Sequence, residues 1–423
     1  MFRRAFVLLL ATMAMASCGD GYSGGNAGGY RPPVAMAAPP PFRPSPAPAR
    51  ERIRNPNLVS ILLPLTGGYA ELGQAMLRAA QLALPEGGSP ALDVRDTAGT
   101  PDGAANAARD AVASGTGLIL GPLTSAETAA VAPVARDAGV AVLAFTNDPS
   151  QGQPGVWTLG ITPGQQVRRL MLAVQAQGKG RAAALLPDSD LGRVMSEALI
   201  QSAAALGLPV PDIHLHAAGM AAINVAVREL SDYGNRRGPI DAQMRAARAL
   251  ATPDGRRRAQ ELAKSAIAPP PFDTLLLADI GESLSEIAAV LPYYDIDRGA
   301  VQVLGPAQWS APGSGSGNMP GAWYAAPDPA SRSAMDQDYT AKYGSRPPAI
   351  ADLAYDAASM ARVLGGQGGF SIGALTQRAG FAGVDGWFVL LPDGEVRRGL
   401  AVFRIERGGP TMVDPTPASG SGV

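Results

Sequence analysis

From residue 57 onward, short apolar runs alternate along the chain with longer segments that have helical periodicity. Residues 118–120 are continuously apolar, and residues 58–63 form an apolar run of strand length that only Ser60 interrupts, whereas residues 73–84 carry apolar side chains at intervals of three and four. Continuously apolar strands separated by helices are typical of parallel sheets that are covered on both faces. The pattern therefore predicts an α/β fold made of βαβ units.

This alternation pauses near residues 160–164 and then starts again. The sequence therefore predicts two lobes, each a mostly parallel sheet flanked by helices. The expected division places residues 57–162 and 307–382 in the first lobe, and residues 163–306 and 383–410 in the second. Residues 411–423 are rich in glycine, proline and serine, and we expect them to form a disordered tail.

Residues 1–17 have the pattern of a bacterial export signal. Arg3 and Arg4 precede an apolar run at residues 5–15, which is shorter than the roughly 20 residues needed to span a membrane. The next residues, Met-Ala-Ser-Cys at 15–18, resemble a lipobox, with methionine where leucine is usual. We therefore expect Cys18, which is the only cysteine, to carry a lipid. An ordinary secretory signal with a chance cysteine is the alternative.

Residues 18–56 are predicted to be a tether between the lipid and the folded domain. The segment is rich first in glycine and then in proline and alanine, and it cannot bury a core. The whole chain has a formal net charge of −1, so it has no global field that would attract nucleic acid. These features indicate a periplasmic protein held to the membrane by its lipid, with no nucleic-acid partner; whether the membrane is the inner or the outer one stays open.

Residues 231–268 are the most unusual part of the chain. They are predicted to form an inserted pair of helices, at 240–251 and 253–267, with few acids and seven arginines: Arg236, Arg237, Arg245, Arg248, Arg256, Arg257 and Arg258. A solvated helical face is one interpretation. The other is a docking surface for a partner protein or an anionic envelope polymer, for which Arg245, Arg248, Arg256, Arg257 and Arg258 are the candidate contacts.

The sequence shows no set of residues that is typical of an enzyme. His214 and His216 are the only histidines and lie two apart on a predicted strand, so both should point to one side of the sheet, as a paired surface position. Without a further cysteine or histidine nearby, we predict no metal site. Because Cys18 is assigned to the lipid and no serine–histidine–acid set is evident, we also predict no catalytic residues and no cofactor.

Five segments together resemble the type I periplasmic binding proteins of the leucine-binding family over residues 57–409. They are residues 63–67 (LPLTG), 96–101 (DTAGTP), 120–125 (LGPLTS), 138–140 (AGV) and 354–357 (AYDA). Within that family the chain is most similar to the bacterial penicillin-binding-protein activators, through residues 272–279, 291–297 and 380–386. The resemblance implies two lobes that are joined by three crossings, with a ligand between them.

The candidate ligand residues lie where strands end, because ligands of open α/β sheets sit beyond the carboxyl ends of the strands. Ser125 precedes a predicted helix, so it either holds a carboxylate with the free N–H groups or is an ordinary N-cap. The resemblance implies that Thr146 helps to hold an α-amino group. Tyr69 either covers a ligand or is simply exposed; Asp279 and Glu282 are either acceptors from the second lobe or solvated acids.

One departure from the family counts against an amino-acid ligand. The transport members commonly have an aromatic residue before the glycine that follows the first strand of the second lobe, and this chain has Leu191 before Gly192. Together with the tether, the basic insertion and the closer resemblance to the penicillin-binding-protein activators, this favours a regulatory protein that contacts a peptidoglycan synthase, which is a penicillin-binding protein. The alternative is the substrate-binding lipoprotein of an ABC permease for amino acids or another small polar solute.

Overall fold

The computed structural model describes residues 55–87, 89–297 and 299–417. The predicted signal peptide, Cys18 and all but the last positions of the predicted tether lie outside these ranges. Within them, no helix combines the length and apolar character that a membrane crossing requires. The description below is therefore that of the folded domain.

The first lobe begins with a five-stranded parallel sheet in the order β2-β1-β3-β4-β5. Its strands and helices alternate along the chain: β1 (Asn55–Leu63), α1 (Ala70–Ala83), β2 (Ala91–Asp96), α2 (Pro101–Ala113), β3 (Thr116–Leu120), α3 (Ser125–Ala138), β4 (Ala141–Ala144) and β5 (Val156–Thr158). Every residue of β3 and β4 is buried, because the apolar faces of the helices cover both sides of the sheet. The continuously apolar runs in the sequence reflect this burial.

The chain then builds most of the second lobe. The elements are α4 (Pro163–Ala176), β6 (Ala182–Pro187), α5 (Asp190–Ala205), β7 (Asp212–His216), α6 (Met220–Leu230), α7 (Tyr233–Ala249), α8 (Pro253–Ala263), β8 (Thr274–Leu277), α9 (Gly281–Val290), β9 (Gln302–Gly305) and β10 (Trp323–Ala326). Strands β6 to β10 are parallel where they pair with one another. The second lobe is thus a second α/β unit, as the restarted pattern predicts.

After β10 the chain returns to the first lobe and then goes back to the second. The elements are α10 (Ser333–Tyr343), α11 (Ala351–Gly366), α12 (Ile372–Leu375), β11 (Phe381–Gly383), β12 (Gly386–Leu390), β13 (Val396–Arg398), β14 (Ala401–Glu406) and β15 (Gly409–Asp414). The chain therefore crosses between the lobes three times, after β5, after β10 and after β13. The two-lobed α/β fold and its three crossings are confirmed.

The division of the chain between the lobes differs from the expected one. The segment 307–382 was expected in the first lobe, but its strand β10 pairs with β9 and β14 in the second sheet, whose order is β15-β14-β10-β9-β8-β6-β7. The segment 383–410 was expected in the second lobe, but β12 and β13 bury Phe388, Leu390 and Val396 in the core of the first. Short apolar strands do not encode which sheet they join, because that depends on distant pairing partners.

The end of the chain is more ordered than expected up to Asp414. Residues 411–414 belong to β15, which pairs antiparallel with β14 at the edge of the second sheet. The carboxylate of Asp414 also lies 2.8 Å from Nη2 of Arg169 on α4. Backbone pairing and this ion pair order a segment that its composition alone predicts to be loose.

Candidate functional site

A cavity of about 520 Å³ opens at the carboxyl ends of β3 and β4 in the first lobe. Its polar lining consists of Thr124, Ser125, Thr146, Asn147 and Asp385. Its apolar lining consists of Leu123, Phe145, Ile161, Pro327, Ala349, Ile350 and Leu353. These residues come from the first lobe and from two of the crossings, so the loops of the second lobe that follow β6, β7 and β8 contribute nothing to its walls.

Ser125 and Thr146 meet in this cavity, as their positions at the ends of adjacent strands predict. Their side-chain oxygens lie 2.8 Å apart, and Thr146 also accepts a hydrogen bond of 3.1 Å from the backbone N–H of Asp148. The alternative that Ser125 is the N-cap of its helix is wrong. Thr124 caps α3 and forms a capping box with Glu127, so the Ser125 hydroxyl does not cap the helix and instead bonds Thr146 at the cavity wall.

Asp148 belongs to the same hydrogen-bonded group. Burial acts to raise the pKa of Asp148. Hydrogen bonds from Ser150, Gln151 and Ser125 outweigh this effect and hold the pKa of Asp148 below its ordinary value. The carboxylate is therefore charged at neutral pH and fixes the loop that follows β4. The first lobe thus presents a rigid polar corner of hydroxyl groups beside an apolar wall.

Asp279, the acceptor expected from the second lobe, is buried and bonded within its own lobe. Its Oδ2 lies 3.2 Å from Nε2 of His216, and its Oδ1 accepts a hydrogen bond from the Ser283 hydroxyl. Nδ1 of His216 lies 3.0 Å from the carbonyl oxygen of Ala217, and the two paired side chains are 1% and 3% exposed. Asp279 therefore has no free oxygen that faces the cavity.

This pair also corrects the expectation for the two histidines. His214 is partly exposed and lies 3.4 Å from Asp212, but His216 is buried rather than on the surface. His216 ends β7, and its ring reaches past the end of β6 to Asp279, which follows β8. A strand pattern gives the side of the sheet to which a residue points, but not the partner that lies beyond the strand end.

Tyr69 and Glu282 do not line the cavity. Tyr69 precedes α1, is 52% exposed, and packs near Gly99 at the end of β2. Glu282 is exposed in the first turn of α9. The exposed-tyrosine and solvated-acid interpretations fit these positions best.

Three buried carboxyl groups that the sequence reasoning missed lie behind the cavity. Asp352 and Asp356 are one turn apart on α11, and Asp385 precedes β12 and reaches the cavity wall. Nη2 of Arg332 lies 3.0 Å from Asp352, and the buried Arg398 lies 3.8 Å from Asp356. Two acids spaced by four residues on the face of a helix that is otherwise rich in alanine, leucine and methionine were a signal, because a buried helical face is normally all apolar.

The environment of these carboxyls favours their protonated forms. Burial, opposed by Arg398, raises the pKa of Asp356 to about 7. Burial together with the neighbouring charge of Asp385 also raises the pKa of Asp352, with Arg332 acting in the opposite direction. Burial raises the pKa of Asp385 in the same way. The group therefore holds protons near neutral pH and ties α11 to the strand pair β11–β12. Within the described ranges, no cluster of three or more His, Cys, Asp or Glu side chains is suited to a metal ion.

The basic insertion forms a hairpin of α7 and α8, which pack against each other. We call residues 231–268 the basic hairpin. Helix α7 starts at Tyr233, earlier than expected, and runs through Pro239. Arg236 is not a free surface residue, because it donates to the carbonyl oxygens of Ser231, Ala268, Tyr294 and Asp295. This arginine anchors the hairpin to the rest of the second lobe.

The five candidate contact arginines are all on the exposed surface of the basic hairpin: Arg245, Arg248, Arg256, Arg257 and Arg258. Arg257 lies 3.1 Å from Asp254, and Arg258 lies 3.6 Å from Glu261. Exposed pairs of this kind are weak, so these guanidinium groups remain accessible to an external anion.

Comparison with known protein families identifies the family of this chain. A family model described as periplasmic binding protein matches residues 59–410. The chain therefore belongs to the periplasmic binding protein family. Among curated proteins, no sequence matches this chain.

Two kinds of solved structure share the fold. One is a putative branched-chain amino acid ABC transporter protein from Rhodospirillum rubrum, with 20% identity over 84% of this chain and 99% of that one, and a TM-score of 0.61. Another is the C-domain of LpoA from Haemophilus influenzae, a regulator of PBP1A, with 16% identity over 84% of this chain and 99% of that domain, and a TM-score of 0.61. Full-length LpoA from the same organism has a TM-score of 0.61 at 16% identity; the match covers 86% of this chain and 59% of that one. Identities this low show the fold alone.

Proposed function

We propose that this chain is a lipid-anchored, non-catalytic envelope protein that regulates a peptidoglycan synthase by direct contact. The observation that carries the proposal is the state of Asp279. An amino-acid ligand needs an acceptor for its ammonium group when the lobes close, and in this chain the candidate acceptor is bonded to His216 and Ser283. The lack of an aromatic at Leu191 acts in the same direction, because it removes a wall for the ligand.

The basic hairpin is the proposed contact surface. Its exposed arginines are Arg245, Arg248, Arg256, Arg257 and Arg258, and its attachment through Arg236 holds them in a fixed position on the second lobe. Complementary charges across an interface mainly speed association and select the partner. An acidic surface on the synthase is the matching chemistry.

A capture experiment tests the contact. The full chain is used as bait in a detergent extract of the envelope, and captured synthases are detected with a fluorescent penicillin, which labels penicillin-binding proteins. The parent should retain a labelled protein, and the triple variant Arg256→Glu, Arg257→Glu, Arg258→Glu should lose it while melting at nearly the same temperature, because exposed substitutions change stability by less than about 0.5 kcal/mol. Capture of a permease and its ATPase instead contradicts the proposal.

The lipid anchor at Cys18 is tested separately. Cys18→Ser should move the protein from the membrane fraction to the soluble periplasmic fraction without changing its melting temperature. Unchanged membrane association would rule out the lipid.

A second candidate function is supported by the Ser125–Thr146 pair. Two hydroxyl groups beside a helix N-terminus are suited to a carboxylate, so a substrate-binding role for an ABC permease is the alternative. Calorimetry with the twenty amino acids separates the two functions. A dissociation constant in the micromolar range for any of them favours the permease role; the regulatory proposal predicts no binding.

A further inference from the structure

A second cavity, of about 760 Å³, lies between the lobes and shares no lining residue with the 520 Å³ cavity. One wall consists of α4 and α5 of the second lobe. The facing wall consists of residues 149–152 and of the turn that joins β12 and β13. Cavities of this size are typical of small-molecule sites, and an occupant of this one contacts both lobes.

Arg168 on α4 is the distinctive residue of this interlobe cavity. Its side chain makes no hydrogen bond or ion pair with the described residues, and its Nε is buried. Nε of Arg398 is also without a partner, but the Nη atoms of Arg398 are bonded to protein oxygens. The other three arginines of the lining are bonded to protein oxygens: Arg169 to Asp414 and Leu400, Arg397 to Glu395, and Arg398 to Leu159. Because Arg168 lines the cavity without a protein acceptor, its guanidinium group is the one that a ligand would satisfy.

The acids at the rim of the interlobe cavity are engaged with other groups. Glu197 accepts a hydrogen bond of 2.9 Å from Gln201, and Asp393 accepts one of 3.0 Å from the backbone N–H of Glu395. Glu395 also lies 3.3 Å from Arg397. In the part of the chain that the structure describes, none of these acids neutralises Arg168.

The floor of the interlobe cavity is apolar. It is formed by side chains of α4 and α5, namely Leu172, Val194, Ala198 and Ala205. Val194 is 40% exposed, so its side chain is open to an occupant of the cavity. The cavity thus combines one unpaired cation with a hydrocarbon surface.

We propose that the interlobe cavity is a ligand site for a small organic anion, whose carboxylate or phosphate head binds Arg168 and whose apolar body covers the floor. The guanidinium fork matches both kinds of head, because it donates two parallel hydrogen bonds to either. Since the walls belong to different lobes, such a ligand stabilises the arrangement of lobes that it bridges. The site is independent of the regulatory proposal, because neither Ser125 nor the basic hairpin takes part in it.

Ligand-observed NMR titration of the full chain in a non-ionic detergent tests the site. Hexanoate and hexyl phosphate are the probes, and 1-hexanol is the neutral control for partition into the micelle. At least one of the two anions should bind the parent, and Arg168→Ala should weaken it at least tenfold. Arg256→Ala, at an exposed arginine of the basic hairpin, should leave binding unchanged. The two probes also distinguish a carboxylate head from a phosphate head.

A second pair of variants keeps the test valid if Arg168→Ala is poorly folded. Val194→Glu places a negative charge in the interlobe cavity and should weaken binding of the anion severalfold. Val194→Gln introduces a neutral side chain of nearly the same size as glutamate and should not weaken binding in this way. The proposal is overturned if neither anion binds the parent, if 1-hexanol binds as well as the anions, or if Arg168→Ala and Val194→Glu both bind like the parent. Inorganic phosphate that binds as tightly as hexyl phosphate also contradicts it, because the floor then contributes nothing.

Discussion

The two lobes use similar residues at the carboxyl edges of their sheets, but in opposite ways. In the first lobe, Ser125 and Thr146 pair with each other at the wall of a cavity. In the second lobe, Asp279 pairs with His216 and Ser283 and is buried. The hydroxyl pair therefore stays at a cavity wall, whereas the carboxylate is enclosed within its own lobe. Under the proposed function, this enclosure of Asp279 is the reason why the second lobe does not hold the ammonium group of an amino acid.

The largest effect that we expect concerns the buried carboxyls behind the first-lobe cavity. Burial raises the pKa of Asp356 to about 7. Because the folded state then binds this proton more tightly than the unfolded state, the contribution to stability is full below about pH 4 and is lost as the pH rises to about 7. Relative to Asp356→Asn, the parent should lose on the order of 4 kcal/mol of unfolding free energy across that window. Urea denaturation at a series of pH values measures the difference.

The second lobe provides the matched control for this pH dependence. Burial acts to lower the pKa of His216, but the hydrogen bond with Asp279 outweighs this effect, so the pKa of His216 is raised. Its contribution is therefore present below about pH 6.5 and is lost above that value, so His216→Gln should change the upper part of the profile only. If the unfolding free energies of the parent and of Asp356→Asn change in parallel between pH 4 and 7, the Asp356 carboxyl group is not the source of the pH dependence.

The next effect tests whether Asp279 is structural. Asp279→Ala leaves Nε2 of the buried His216 and the half-buried Ser283 hydroxyl without their shared partner, so the unfolding free energy should fall by about 3 kcal/mol. Glu282→Ala, three residues along and exposed, should change it by less than about 0.5 kcal/mol. Chemical denaturation at pH 6 measures both. If Asp279→Ala is as mild as Glu282→Ala, Asp279 is free for a ligand and the contrast between the lobes disappears.

The fold can be predicted because a strand that is buried on both faces is apolar along nearly its whole length, and such runs are visible in the sequence. The apolar runs at β3 and β4 and the restart after residue 164 are sufficient to predict two parallel sheets. The placement of β10, β12 and β13 is not predictable in the same way, since each is a short apolar strand whose sheet is chosen by pairing. Burial gives a local pattern, whereas pairing depends on residues far away in the chain.

The same distinction applies to the sites. The meeting of Ser125 and Thr146 follows from their positions after adjacent parallel strands. The burial of Asp279 does not follow, because its partner His216 comes from a strand on the other side of β6. Arg168 gives no sequence signal either, because its lack of a partner depends on which acceptors the fold brings near it.

The smallest effect concerns Ser125. Removal of its hydroxyl breaks the hydrogen bond with Thr146, which keeps the bond from the N–H of Asp148, and removes one of the donors to the Asp148 carboxylate. Ser125→Ala should therefore cost only about 1 kcal/mol of unfolding free energy. Ser189→Ala, at the N-cap of α5 in the second lobe, removes an acceptor for the N–H of Gly192 and should cost about as much. The two variants are matched in stability but differ in position, since only Ser125 lines the cavity.

If the parent binds an amino acid after all, Ser125→Ala should weaken that binding about tenfold, because about 1.4 kcal/mol of lost hydrogen bonding is one decade in affinity. Ser189→Ala should not change the binding. If Ser125→Ala costs as much stability as Asp279→Ala, the hydroxyl pair is structural too, and the first lobe has no polar corner reserved for a ligand.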